Sequence, residues 1–163
     1  MPVKWKLKAG TTWRAKLEKD QEPKVVKVPA KMQKRFGKGT MLVPRPLDVD
    51  ALIRKIPKGK LATTGQIGER LAIDCKADCA CPMTTGIFVK IAAETAEEDL
   101  RAGKKRIIPY WRVIKSNGKL NEKFPGGARA QAKRLREEGH VIQAAKGKAA
   151  LRVKDFAKSL VEL

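Results

Sequence analysis

Three thiols stand close together in "DCKADCACP", at Cys75, Cys79 and Cys81, and the chain has one histidine, His140. Thiolates and imidazoles ligate zinc and act as nucleophile and base. The C-x3-C-x-C spacing matches no zinc or iron–sulfur framework, and there is no second cysteine pair, so no metal is assigned. In a reducing compartment the three are read as thiols. Cys81 directly precedes Pro82 and a helical run, where the positive end of a helix dipole favours a thiolate, which makes it the one candidate nucleophile. The carboxylates of Glu94, Glu97, Glu98 and Asp99 share one helical stretch and read as a solvated face. No phosphate-cradling glycine loop and no paired-carboxylate constellation occurs, and no cofactor is expected.

A second chemistry-bearing stretch is "PYWRVIKSNGKLNEKFPGG", residues 109–127. It reads as a short strand carrying Trp111, Val113 and Ile114, a Ser-Asn-Gly turn, a second short run through Leu120, and an aromatic before Pro-Gly-Gly. Strand alternation sends Tyr110 and Trp111 to opposite faces. Glycine pairs such as Gly126-Gly127 precede helices or allow a close backbone approach.

Charge supplies the partner class. The 163 residues carry 37 Lys and Arg against 17 Asp and Glu, a net +20 at pH 7. That excess points to a polyanion, by default nucleic acid. Residues 1–46 and 101–163 hold nearly all of it, while 47–100 is slightly acidic, as expected of basic binding surfaces around a near-neutral core. No apolar run is long enough to span a bilayer, and the basic opening "MPVKWKLKAG" is unlike a secretory signal, so the expectation is a cytoplasmic monomer without a membrane partner.

The elements that must position these residues follow from periodicity. Residues 1–46 form a basic arm that packs through Trp13, Val25, Val26, Met32 and Phe36, and residues 47–163 form the domain. Asp48 caps a helix with Val49, Leu52, Ile53 and Ile56 on one face, stopped by Pro57-Lys58-Gly59. Thr63 and Gln66 form a capping box for a second helix bearing Ile67 and Leu71. A third begins near Thr84 or Thr85 and ends near Gly103. A basic helix over 128–139 buries Ala128, Ala132 and Leu135 and closes at Gly139; a hairpin around Lys146-Gly147 and a closing helix in "KDFAKSLVEL" follow. The fold class is α+β, mainly helical: a winged helix-turn-helix with an N-terminal arm and a C-terminal hairpin plus helix.

In order, Ile56-Pro57-Lys58-Gly59, Pro109-Tyr110-Trp111-Arg112-Val113-Ile114, Ser116-Asn117-Gly118, Phe124-Pro125-Gly126-Gly127 and Glu138-Gly139-His140 resemble the DNA-binding domain of the alkylguanine-DNA alkyltransferases and their alkyltransferase-like relatives. The resemblance runs over about residues 47–142. It implies double-stranded DNA as partner, with repair proteins acting afterwards. The departures matter most. Tyr110 stands where the enzymes have their alkyl-accepting cysteine and Trp111 where they have the activating histidine, and neither side chain supplies a nucleophile near neutrality. Gly86 falls at the arginine that fills the gap left by a flipped nucleotide, with Lys90 one turn later, and Thr64 falls near the tyrosine that helps rotate the phosphate.

The resemblance therefore implies the non-catalytic, alkyltransferase-like branch, which binds alkylated DNA without repairing it. DNA contacts are expected from Thr64, Thr84, Thr85, Gly86, Lys90 and Arg112, from Lys115 and Lys119 at the turn, from the Gly126-Gly127 backbone, and from Arg129, Lys133, Arg134 and Arg136. Tyr110 and Phe124 are expected to line a lesion pocket. The alternatives are an active methyltransferase using Cys81 and a basic RNA- or ribosome-binding protein. The helix-then-hairpin order favours duplex DNA, since RNA is more often met by aromatic-rich sheets and only 5% of this chain is aromatic.

Overall fold

A computed structural model describes residues 7–144 and 150–163. The helices are α1 Trp13–Leu17, α2 Gln33–Phe36, α3 Pro46–Arg54, α4 Thr64–Asp74, α5 Pro82–Arg101 and α6 Gly127–Glu137. The strands are β1 Lys24–Lys27, β2 Thr40–Val43, β3 Ala62–Thr63, β4 Cys79–Ala80, β5 Val113–Ile114, β6 Ile142–Ala144 and β7 Leu151–Val153. They form three small sheets: β1-β2-β4, the parallel pair β3-β5, and the antiparallel pair β6-β7. The architecture is mixed α and β. No helix among the described residues is long and apolar enough to cross a membrane.

The helical core follows the hydrophobic periodicity. Val49, Leu52, Ile53 and Ile56 are buried with Ile67 and Leu71 of α4 and Val89, Ala92, Ala93 and Ala96 of α5. Helix α3 begins at Pro46, so Asp48 lies inside its first turn, paired with Arg45, and does not cap it. The capping box is present at both ends: Gln66 N–H donates to the Thr63 hydroxyl and Thr63 N–H to the Gln66 side chain. Helix α5 starts two residues before Thr84, because Pro82 suits a first helical turn whose N–H groups lack partners.

Residues 7–46 contribute regular structure. Trp13 and Leu17 of α1 are buried, as are Met41 and Leu42 of β2, whereas Val25 and Val26 of β1 are exposed and do not pack as expected. The acidic stretch of α5 is no solvated face. Glu98 accepts the Trp13 and Arg14 amides, capping α1, and Asp99 is buried against Arg14 and Lys104.

At the other end, Gly139 takes φ +95° while its N–H bonds Arg136 and that of His140 bonds Leu135, a Schellman stop for α6. Strands β6 and β7 pair from Ile142↔Val153 to Ala144↔Leu151; the Lys146-Gly147 turn lies outside the described residues. The closing helix is replaced by a 3-10 turn, Phe156–Ser159. Asp155 before it is left-handed, and Ser159 and Val161 are drawn into backbone bonds with Leu61. Tertiary pairing overrides local helix propensity there.

Candidate nucleic-acid interface

Pro109 to Ile114 does not begin as a strand. Tyr110–Arg112 is a 3-10 turn and only Val113–Ile114 pairs, with Ala62–Thr63. Alternation therefore does not apply to Tyr110 and Trp111. Tyr110 is 2% exposed, packed edge-on against Trp111 and Phe124, and its hydroxyl donates to Glu97 Oε1 at 2.6 Å. Phe124 is also buried. These two residues, expected to line a pocket, are core. Burial, joined by the bond to Glu97, holds the phenol well above its ordinary pKa, so Tyr110 is a neutral hydroxyl near neutrality.

Trp111 is half-buried between two guanidinium groups, with Arg134 Cζ 4.4 Å and Arg112 Cζ 5.6 Å from its ring centre. Its indole N–H donates to Glu138 Oε2 at 2.9 Å. Arg112 donates to Glu138 at 2.6 and 3.0 Å and to the Ile56 carbonyl at 2.7 Å. It is a brace tying the 3-10 turn to the end of α3 and to α6, where the sequence reading had a DNA contact. Arg134 differs from expectation for the same reason: it donates to Glu97 Oε1 at 2.8 Å and covers the indole.

Around this brace lies the basic surface. Lys115, Arg129, Lys133 and Arg136 are exposed, Lys119 is half-buried, and none has a carboxylate partner among the described residues. The turn at 115–119 is rigid: Gly118 N–H bonds Lys115, Lys115 N–H bonds Lys119, and β7 bonds back through Val153 N–H to Gly118 and Leu120 N–H to Leu151. Gly118, at φ +83°, faces the Phe156 ring so closely that a Cβ would meet it at 2.4 Å. Gly126 and Gly127 both have positive φ and open α6.

The turn sits beside the start of α4. Thr64 Oγ1 lies 3.5 Å from the Ile114 carbonyl, and a Cβ on Gly65 would stand 3.0 Å from Ser116 Oγ. Thr64, Gly65, Thr85 and Ser116 line one cleft of about 610 Å³. Thr85 is buried and its hydroxyl donates to the Cys81 carbonyl one turn back at 2.8 Å, so it is committed within the first turn of α5; Thr84 donates to Cys81 Sγ at 3.3 Å. Gly86 has open space where a side chain would begin, and Lys90 is half-buried.

Cys75, Cys79 and Cys81 are free thiols, and no group of three or more metal-capable side chains gathers among the described residues. Burial raises the Cys79 thiol, helped by Asp78 and Cys81. Cys81 is the N-cap of α5 while Tyr110 bonds Glu97 near its other end; at about 1.5 Å per residue the two positions on the helix are roughly 24 Å apart. A thiol at Cys81 does not reach the position of Tyr110.

Two residues of this framework escaped the sequence. Gln131 is 1% exposed, accepts from Asn121 N–H at 2.8 Å and donates to the Trp111 and Val113 carbonyls at 3.1 and 2.9 Å. Its signal is a polar residue on the inward face of α6, beside Ala128, Ala132 and Leu135. Glu97 is the second, visible in sequence only as one of four clustered acids.

No family model and no curated protein sequence matches this chain. Two solved structures share its fold. The crystal structure of S. pombe Atl1 with damaged DNA containing O6-carboxymethylguanine superposes with a TM-score of 0.53 at 20% identity, over 72% of this chain and 94% of the other. S. pombe ATL in complex with DNA gives 0.52 at 20% identity over the same shares. The fold is that of the alkyltransferase-like proteins.

Proposed function

We propose that this chain is a non-catalytic, alkyltransferase-like DNA-binding protein that grips duplex DNA and senses alkylated guanine. The observation that carries the proposal is its fold, shared with two structures solved on DNA, one of them on DNA containing O6-carboxymethylguanine. The surface supports it: Lys115, Arg129, Lys133 and Arg136 are exposed without carboxylate partners among the described residues, around a hydrogen-bonded turn beside α4. In this reading α4 and α5 act as the helix-turn-helix and β6-β7 as the wing. The buried Tyr110, held to Glu97, supports the absence of alkyl transfer, leaving removal of a lesion to other repair proteins. The protein acts as a monomer in the cytosol.

The experiment is binding to matched duplexes with and without an O6-alkylated guanine at two salt concentrations. Affinity is expected to fall steeply with salt on both duplexes, by about 0.9 in log–log slope per phosphate contact, with a smaller preference for the alkylated one. Salt-independent affinity overturns DNA binding, and equal affinity for the two duplexes overturns lesion sensing.

A further inference from the structure

The N-terminal hairpin carries a concentration of charge that the interface above does not use. Residues 24–38 read "KVVKVPAKMQKRFGK": Lys24, Lys27, Lys31, Lys34, Arg35 and Lys38, with no Asp or Glu among them. All six are exposed, and none pairs with a carboxylate among the described residues. Lysines at the ends of an edge strand serve to discourage strand addition, and Lys24 and Lys27 on β1, with the exposed Val25 and Val26 between them, fit that role. That explanation does not reach Lys31, Lys34, Arg35 and Lys38, which lie off the strand.

Placement decides what the charge faces. Strand β2 pairs in parallel with β4, Met41 to Cys79 and Leu42 to Ala80, and β4 runs directly into Cys81 and the first turn of α5. Arg35 and Phe36 line the same cleft as Thr64, Gly65 and Ser116, the last of these within the 115–119 turn. Two carboxylates also line this cleft. Asp78 is committed to Thr40, accepting from its N–H at 2.8 Å and its hydroxyl at 3.1 Å, and Glu69 is solvent-exposed.

The hairpin is also held in a fixed pose. Asp78 N–H donates back to the Thr40 carbonyl and hydroxyl, and Gly39 lies so close that a Cβ would stand 2.2 Å from Asp78 Oδ2. A charged element fixed beside a binding face grips a polyanion with little further loss of chain entropy.

We infer that the 24–43 hairpin is a second DNA-contacting element, whose cations hold the phosphates of duplex flanking the segment bound by the 115–119 turn and α6. This rests on the DNA-binding reading above and extends it. The bound chemistry is the phosphodiester backbone, read without regard to sequence.

The test is the triple variant Lys31→Ala, Lys34→Ala, Arg35→Ala beside the double variant Arg129→Ala, Lys133→Ala on α6, each titrated with unmodified duplexes of increasing length over a range of salt. All five positions are exposed, and a thermal melt checks that both variants keep the fold. The hairpin variant is expected to lose about two to three units of log–log salt slope, and to lose the gain in affinity that wild type shows on the longer duplexes. A hairpin variant with wild-type slope and wild-type length dependence, beside an α6 variant of reduced slope, overturns the inference and leaves the DNA-binding reading standing. Wild type that binds no duplex at all overturns both.

Discussion

Arg112 Nε and Glu138 Oε1 lie 2.6 Å apart, with both side chains largely withdrawn from solvent, and the same carboxylate also accepts the Trp111 indole N–H. The pair joins the 3-10 turn, α3 and the C-terminus of α6. Its removal therefore affects the frame of the interface before any DNA contact.

Arg112→Ala or Glu138→Ala is expected to destabilise the fold by about 3 kcal/mol, since each leaves a buried charge alone. Urea denaturation reads this, and a loss below about 1 kcal/mol contradicts a bracing role. Burial tends to raise the Glu138 pKa, but the bonds from Arg112 and Trp111 outweigh it and leave the carboxyl below its ordinary value. A lowered folded pKa makes the brace fully stabilising above about pH 4.3, the unfolded value, and loses it as the pH falls from there through the folded value. A Glu138→Gln variant is expected to show a flatter acid limb in its stability profile.

Tyr110→Phe deletes the hydroxyl that donates to Glu97, while Arg134 still pairs with that carboxylate. The expected cost is about 1 to 2 kcal/mol of stability. Tyr110→Ala opens a core cavity and costs about 3 to 5 kcal/mol. Both variants are expected to weaken binding to normal and alkylated duplex equally, measured at a temperature where they remain folded. Selective loss on the alkylated duplex shows instead that Tyr110 meets the lesion.

Arg134 and Lys133 are neighbours in sequence with opposite expected behaviour. Lys133→Ala lowers the salt slope by about one unit with stability within about 0.5 kcal/mol of wild type. Arg134→Ala keeps the slope and costs about 2 kcal/mol, through the lost Glu97 pair and the uncovered indole. Paired salt titrations and melts distinguish the two, and matching profiles remove the distinction.

How far the sequence carries depends on the range of the forces involved. The α3 face, the Thr63–Gln66 capping box and the Gly139 stop were legible because each is set by residues three to five apart. The start of Pro109–Ile114 was not, since three residues of 3-10 turn leave no periodic mark. Nor was the loss of the closing helix, which Leu61 decides from about a hundred residues away. Charge marked Arg134 and Lys133 alike as DNA contacts, and the motif resemblance added Arg112 to them. Only the positions of Glu138 and Glu97, far off in the chain, separate the two braces from the exposed cation.

Alkyl transfer to the protein is expected to be absent. After incubation with duplex carrying a methylated guanine, intact mass shows no added methyl group, because Tyr110 is a buried neutral phenol and Cys81 lies at the far end of α5. A methyl adduct mapped to Cys81 reverses this and makes the protein an enzyme.

Gly86 offers the sharpest gain-of-function test. It sits in the fifth position of α5, and beyond its chain neighbours and the helix's own backbone no atom lies within 4 Å of where a Cβ would stand, so a side chain begins in open space. Glycine costs a helix interior about 0.5 to 1 kcal/mol, and Gly86→Arg is expected to raise stability by about that amount. The new guanidinium stands where the resemblance places the residue that fills the gap in an opened base stack. If α5 faces the duplex, the variant binds unmodified DNA more tightly, with about one further unit of salt slope. If wild-type lesion preference is limited by an unfilled gap, the variant also widens the ratio between alkylated and normal duplex. Tighter binding without a wider ratio means that α5 touches phosphate but no base leaves the stack. A more stable variant with unchanged affinity for either duplex means that α5 does not meet DNA.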